Sequence, residues 1–113
     1  MPLQLQSDRI GNALVIAVSG DLVLGQSLRS VSQTIRDSGP VKGVVIDLSC
    51  CGRVDSSGLG ELLLCYSFAT RDDKKLLLTG VCGPVRDMMR IACVDTVLLI
   101  VAGREAALAA VEA

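Results

Sequence analysis

The run Val44-Val45-Ile46-Asp47-Leu48-Ser49, followed by Val54-Asp55-Ser56-Ser57-Gly58-Leu59-Gly60, constrains this chain more than any other stretch. Val44 to Leu48 is short and apolar on both faces, which predicts a central β-strand covered by helices on at least one side. The residues after it read as a short loop that displays two hydroxyls where a helix begins. A helix start gathers unsatisfied backbone N–H groups and the positive end of the helix dipole, so a phosphate added there would find donors ready. The pattern predicts a serine switch. Ligand chemistry in such sheets collects beyond the carboxyl ends of the strands, which puts Asp55, Ser56 and Ser57 at that rim.

The remaining segments say what surrounds this strand. Leu3 to Gln6 alternates with period two, Gly11-Asn12 supplies a turn, and Ala13 to Ser19 is a β-branched apolar run, so the chain opens on a hairpin. After Gly20-Asp21, residues Leu24, Leu28, Val31 and Ile35 recur at helical spacing until Ser38-Gly39-Pro40 stops them. Leu76 to Thr79 reads as a strand after the charged turn Arg71 to Lys75. Pro84 opens a helix with Val85, Met88, Met89 and Ala92 on one face. Val97 to Val101 is a last strand, and Arg104 to Glu112 a last helix carrying Leu108 and Val111. Strands alternating with helices predict a small α/β domain with a mixed, mostly parallel sheet of four to five strands and about four helices, antiparallel only at the first hairpin. With 113 residues there is material for one core and one domain, 1–113.

Charge and composition exclude several functions. Net charge is -1 with the basic residues dispersed, so no footprint for nucleic acid stands out. No apolar run approaches the roughly 18 residues of a spanning helix, and the first residues lack a signal-peptide pattern, which predicts a cytoplasmic protein with no membrane contact. The five cysteines fit a reducing compartment as small apolar residues; Cys50-Cys51 is the one pair to watch. With no histidine and no Cys-x-x-Cys pair, neither a metal site nor a cofactor is expected. A serine hydrolase is disfavoured because no Gly-x-Ser-x-Gly elbow frames Ser56 or Ser57 and no histidine exists to act as base. Gly58-x-Gly60 lacks the third glycine of a dinucleotide fingerprint, and no Gly-Lys-Ser/Thr triplet occurs. The chain reads as a kinase's substrate and not as an enzyme.

The second helix, from about Ser57 to Thr70, holds more apolar surface than one buried face uses. Leu59, Leu62, Leu63 and Tyr66 form one stripe, while Leu64, Cys65 and Phe68 fall off it. Deep packing is one reading, and it suits Cys65. The other is an exposed patch of Gly60, Leu64 and Phe68 where a partner docks beside the serines. A plain N-cap would account for the serines, yet neither is followed three residues later by Glu or Gln. Two glycines in the first turn weaken the helix by about 1 kcal/mol each. They make sense if another protein must approach the backbone.

These residues, Asp47-Leu48-Ser49 with Asp55-Ser56-Ser57-Gly58-Leu59-Gly60, resemble the anti-sigma factor antagonists of the STAS class. The likeness extends more loosely to Gly20-Asp21, Leu76-Leu77-Leu78 and Ala106-Ala107. It implies a STAS-like domain that binds an anti-sigma factor which is also a serine kinase, releasing a sigma factor. Phosphorylation would end the binding and a PP2C-type phosphatase would restore it. By the same resemblance the acceptor is Ser57, with Ser56 as alternate; Asp55 helps position the hydroxyl, and Asp21, Gly58 and Leu59 join the partner-binding surface. Val23 stands where the family commonly places a second acidic residue. Arg53 is two residues from Asp55 and is placed to pair with it or to attract a phosphate. A second reading keeps the fold and drops the phosphorelay: a scaffold module in a larger bacterial signalling assembly, or a homodimer formed through the same helix.

Overall fold

The computed structural model describes residues 1–113. Strands β1 (Gln4–Ile10) and β2 (Ala13–Leu22) pair antiparallel across the Gly11-Asn12 turn. Helix α1 (Ser30–Arg36), β3 (Gly43–Val54), α2 (Ser56–Arg71), β4 (Lys75–Thr79), α3 (Gly83–Ile91), β5 (Leu99–Val101) and α4 (Arg104–Glu112) follow. The sheet order is β1-β2-β3-β4-β5, parallel from β2 onward, with β3 at its centre as its apolar run predicts. The carboxyl ends of β2 to β5 therefore share one rim.

The two faces of the sheet are covered unequally. A core of 19 buried residues lies under α1, α2 and α3, with Ile16, Val44, Ile46, Leu62, Leu78 and Met89 at its centre. The opposite face buries six, among them Val15, Val45, Leu77 and Val111, under α4 alone. That smaller core is reinforced by polar contacts: Arg104 Nε donates to Asp47 Oδ2 at 2.7 Å, and Asn12 donates to Glu112 from both its backbone and its side chain. Burial alone would raise the Asp47 carboxyl, but hydrogen bonds from Arg104 and Ser49 outweigh it and hold the group below its usual range.

At four places the structure departs from the local sequence pattern. Leu24 was expected to open the first helical stripe, yet α1 starts at Ser30 and Leu24 is 77% exposed in the preceding loop. Its N–H is drawn away to the Asp55 carboxylate. Cys50 to Arg53 reads as loop in sequence but continues β3: Cys50 and Cys51 pair with Ser19 and Gly20, and Val54 with Leu22, across two register shifts, because β2 is long enough to template them. Ala92 is exposed at the end of α3, whose buried residues are Val85 and Met89. The last strand starts at Leu99, since the N–H groups of Val97 and Leu98 turn back to the Val94 carbonyl. No helix is long and apolar enough to cross a membrane.

Candidate functional site

Asp55 builds the rim. It stands in extended conformation as the N-cap of α2, and its Oδ1 accepts the Gly58 N–H at 2.8 Å. Its Oδ2 accepts the Leu24 N–H at 3.1 Å, so one carboxylate fixes both the helix start and the loop after β2. The Gly58 and Leu24 backbone donors, in that order, hold the carboxyl below its usual range. Both oxygens are committed to backbone, which gives Asp55 a structural task in addition to any effect on a neighbouring hydroxyl.

The two serines occupy the first two positions of α2. Ser56 is exposed and Ser57 half-buried, so both keep contact with solvent. Of the backbone donors expected to meet a phosphate here, one is already taken. Asp55 claims the Gly58 N–H, so a phosphate would share this helix end with an anionic neighbour.

Along α2 the other site residues divide. Gly58 and Leu59 are buried, and Cys65 lies in the core with Leu62 and Ala69, whereas Tyr66 is exposed. The inward stripe therefore runs through Gly58, Leu62, Cys65 and Ala69, and Tyr66 falls off it. Gly58 is required internally: a Cβ there would run into the Leu22 carbonyl and lie 3.1 Å from a Val54 methyl. Gly60 is exposed, and a Cβ there would meet nothing within 4 Å. Leu64 and Phe68 are half-buried. Phe68 is flanked by the guanidinium groups of Arg36 and Arg71, 5.2 and 5.3 Å from the ring centroid.

Asp21 sits at the end of β2 on the same rim. The Met1 amino group, 2.9 Å away, and Arg53, 3.8 Å away, hold its carboxyl below the usual range. Arg53 thus pairs with Asp21 and not with Asp55. The carboxylate also lies where a Gly52 side chain would be, 2.7 Å from a Cβ built there.

Three features of this rim carry little local signal in the sequence. Glu61 is buried, and its Oε2 accepts the Ser32 N–H at 2.8 Å while Arg29 lies 3.8 Å from Oε1. A carboxylate on α2 thereby caps α1, whose own N-cap residue, Arg29, makes no capping bond. The available signal was one charge inside the run Leu59 to Leu64. Leu24 projects from the loop that Asp55 anchors. A groove of about 600 Å³ opens beside Ser56, walled by Leu59, Pro84, Met88 and Ile91, the last 84% exposed. No three His, Cys, Asp or Glu side chains converge anywhere as a metal site would need.

A mixed five-stranded sheet with a serine-bearing helix start at its carboxyl rim defines a small α/β domain built around an open surface. The family profile described as "Mlab, STAS domain" matches residues 5–101, and the protein belongs to the STAS-domain family. Among solved structures, an anti-sigma factor antagonist from Mycobacterium paratuberculosis superposes with a TM-score of 0.82 at 20% identity, covering 99% of this chain and 96% of that one. The Bacillus cell fate determinant SpoIIAA in its phosphorylated form gives 0.71 at 19% identity, covering 96% and 99%. A sulfate transporter family protein from Wolinella succinogenes gives 0.74 at 14% identity, covering 89% and 85%. At these identities the likeness shows the fold. A search of curated proteins returns no significant match.

Proposed function

We propose that residues 1–113 act as one cytoplasmic, non-enzymatic domain, an anti-sigma factor antagonist that docks through the outer side of α2 on an anti-sigma factor serine kinase and so releases a sigma factor. The observation that carries this is the placement of Ser56 and Ser57, open to solvent on a helix turn whose inner side is locked by Gly58, Leu59 and Asp55. Membership in the STAS family and the fold shared with antagonists, one of them solved phosphorylated, support the reading. Ser57 is the acceptor and Ser56 the alternate; Leu64, Gly60, Phe68 and the Asp21 end of β2 border the contact. A PP2C-type phosphatase reverses the modification.

Phosphate on Ser57 adds roughly 1.5 to 2 negative charges beside the Asp55 carboxylate. In a docked interface that charge is desolvated or it clashes, and a loss of about 3 kcal/mol weakens binding more than a hundredfold. The switch works at the surface, so the core need not change.

The test is a pull-down from native lysate with and without ATP, followed by phosphopeptide mapping. A small ATPase should be recovered by the unmodified chain and by Ser57→Ala, and lost with Ser57→Asp, while the thermal midpoint moves little. Phosphate found on Ser56 reassigns the acceptor. A partner that binds equally before and after ATP treatment, with no phosphate on either serine, supports the second reading of a scaffold module or homodimer, which Val23 in place of an acidic residue favours.

A further inference from the structure

The vicinal cysteines that stand out in sequence are not the pair that the fold brings together. Cys50 and Cys51 are successive residues of β3, so their side chains leave opposite faces of the strand. Cys51 instead lines a void of only about 10 Å³ with Leu48, Val54, Val81, Val85 and Cys82. That volume is at the lower limit for one water and its other walls are apolar, so Cys51 and Cys82 line one small, mostly apolar gap. Cys82 is the extended residue that precedes α3 and is exposed, whereas Cys51 is half-buried. One thiol is therefore open to a dissolved reagent and the other waits behind it. Cys65 is sealed in the main core, and Cys93 lies beyond the far end of α3.

We propose that Cys51 and Cys82 form an oxidisable pair, which a hydroperoxide closes to an intramolecular disulfide tying the start of α3 to the end of β3. Cys82 sulfur attacks the peroxide, the O–O bond breaks, and the released alkoxide takes the thiol proton, leaving Cys82 as a sulfenic acid. Cys51 sulfur then attacks Cys82 sulfur; the S–S bond forms, the S–O bond breaks, and the hydroxide leaves as water with the Cys51 proton. Two thiols lose two protons and two electrons, and the hydroperoxide is reduced to alcohol and water. Burial raises the Cys51 thiol and keeps it from reacting first, which leaves the first step to the exposed Cys82. Because Pro84 and Met88 of α3 wall the groove beside Ser56, the cross-link restrains one side of that groove. The pairing itself does not depend on what binds at the rim.

The experiment treats the reduced full chain with hydrogen peroxide, blocks remaining thiols, and maps peptides by mass spectrometry. The expected product is monomeric, lighter by two hydrogens, joins the Cys51 and Cys82 peptides, and reverts with dithiothreitol. Cys50→Ser and Cys93→Ser should keep it; Cys82→Ser should lose it, and Cys51→Ser should leave a sulfenic acid on Cys82 that a dimedone probe captures. Amide exchange in the first turn of α3 should slow by about tenfold or more on oxidation, as closing the loop from 51 to 82 removes open states. A bond mapped to Cys50 or Cys93, oxygen additions with no cross-link in the wild-type chain, or unchanged exchange in α3 would overturn the proposal. The wild-type map decides the pairing even if a serine variant fails to fold.

Discussion

Gly58 and Gly60 lie two positions apart in the first turns of α2 and serve opposite sides of it. Gly58 is buried where the helix crosses the end of β2, with no room for even a methyl beside the Leu22 carbonyl. Gly60 faces open space. The inner side of this turn is thus fixed by backbone contact, by the Asp55 cap and by the buried Glu61 that reaches across to α1. The outer side, with Ser56, Ser57 and Gly60, is constrained by almost nothing. Such a division lets a surface event at the serines change binding without propagating into the core, because the carrying turn is held from beneath.

Gly58→Ala tests the fixed side hardest. The new methyl collides with the Leu22 carbonyl, and neither the helix nor the end of β2, paired there with Val54 of β3, moves cheaply. A destabilisation of about 3 kcal/mol is expected, at the upper end of overpacking costs. Chemical denaturation measures it. A loss below about 1 kcal/mol would show that the α2–β2 contact yields, and the contrast between the two sides would then be one of degree.

Asp55→Ala should cost less than Gly58→Ala, because it removes a cap and a loop anchor while leaving packing intact. Its signature is local: amide exchange should quicken at Gly58 and Leu24 together, the two N–H groups that the carboxylate accepts. The pH dependence has a definite sign. Asp55 titrates below its ordinary value of 3.8 when folded, so its contribution is present above 3.8 and is lost as pH falls through the lower, folded value. The difference between wild type and Asp55→Ala should therefore shrink as the pH drops below 3.8. If Leu24 exchange stays unchanged in the variant, the loop is held by something other than this carboxylate.

The pattern of elements was legible because periodicity encodes it: the hairpin, the central apolar strand and α4 from Arg104 to Glu112 all follow from local spacing. The failures share one cause, a partner distant in sequence. Leu24 continues a perfect helical stripe, yet Asp55 takes its N–H from 31 residues away. Cys50 to Arg53 look like loop until β2 is there to pair with them. Glu61 looks like a solvated charge until the open start of α1 arrives above it. At the site itself, Asp55 and the serines could be placed at the rim from the strand-to-helix transition alone. Nothing local separates Gly58 from Gly60, since that difference is made by the Leu22 carbonyl.

Gly60→Ala has the smallest expected effect on the fold and bears most directly on function. Gly60 lies inside α2, and its backbone is not in the left-handed region, so alanine fits without strain. Replacement of an open helical glycine should stabilise the domain by up to about 1 kcal/mol. The same methyl protrudes from the surface on which the kinase is proposed to close, one turn from the serines. Stability should therefore rise while affinity falls, a combination that a purely structural glycine cannot produce. Thermal melting and a binding titration with the recovered ATPase read the two effects separately. Higher stability with unchanged affinity would confine the contact to the serines and the groove beside α3, and would remove Gly60 from the docking surface.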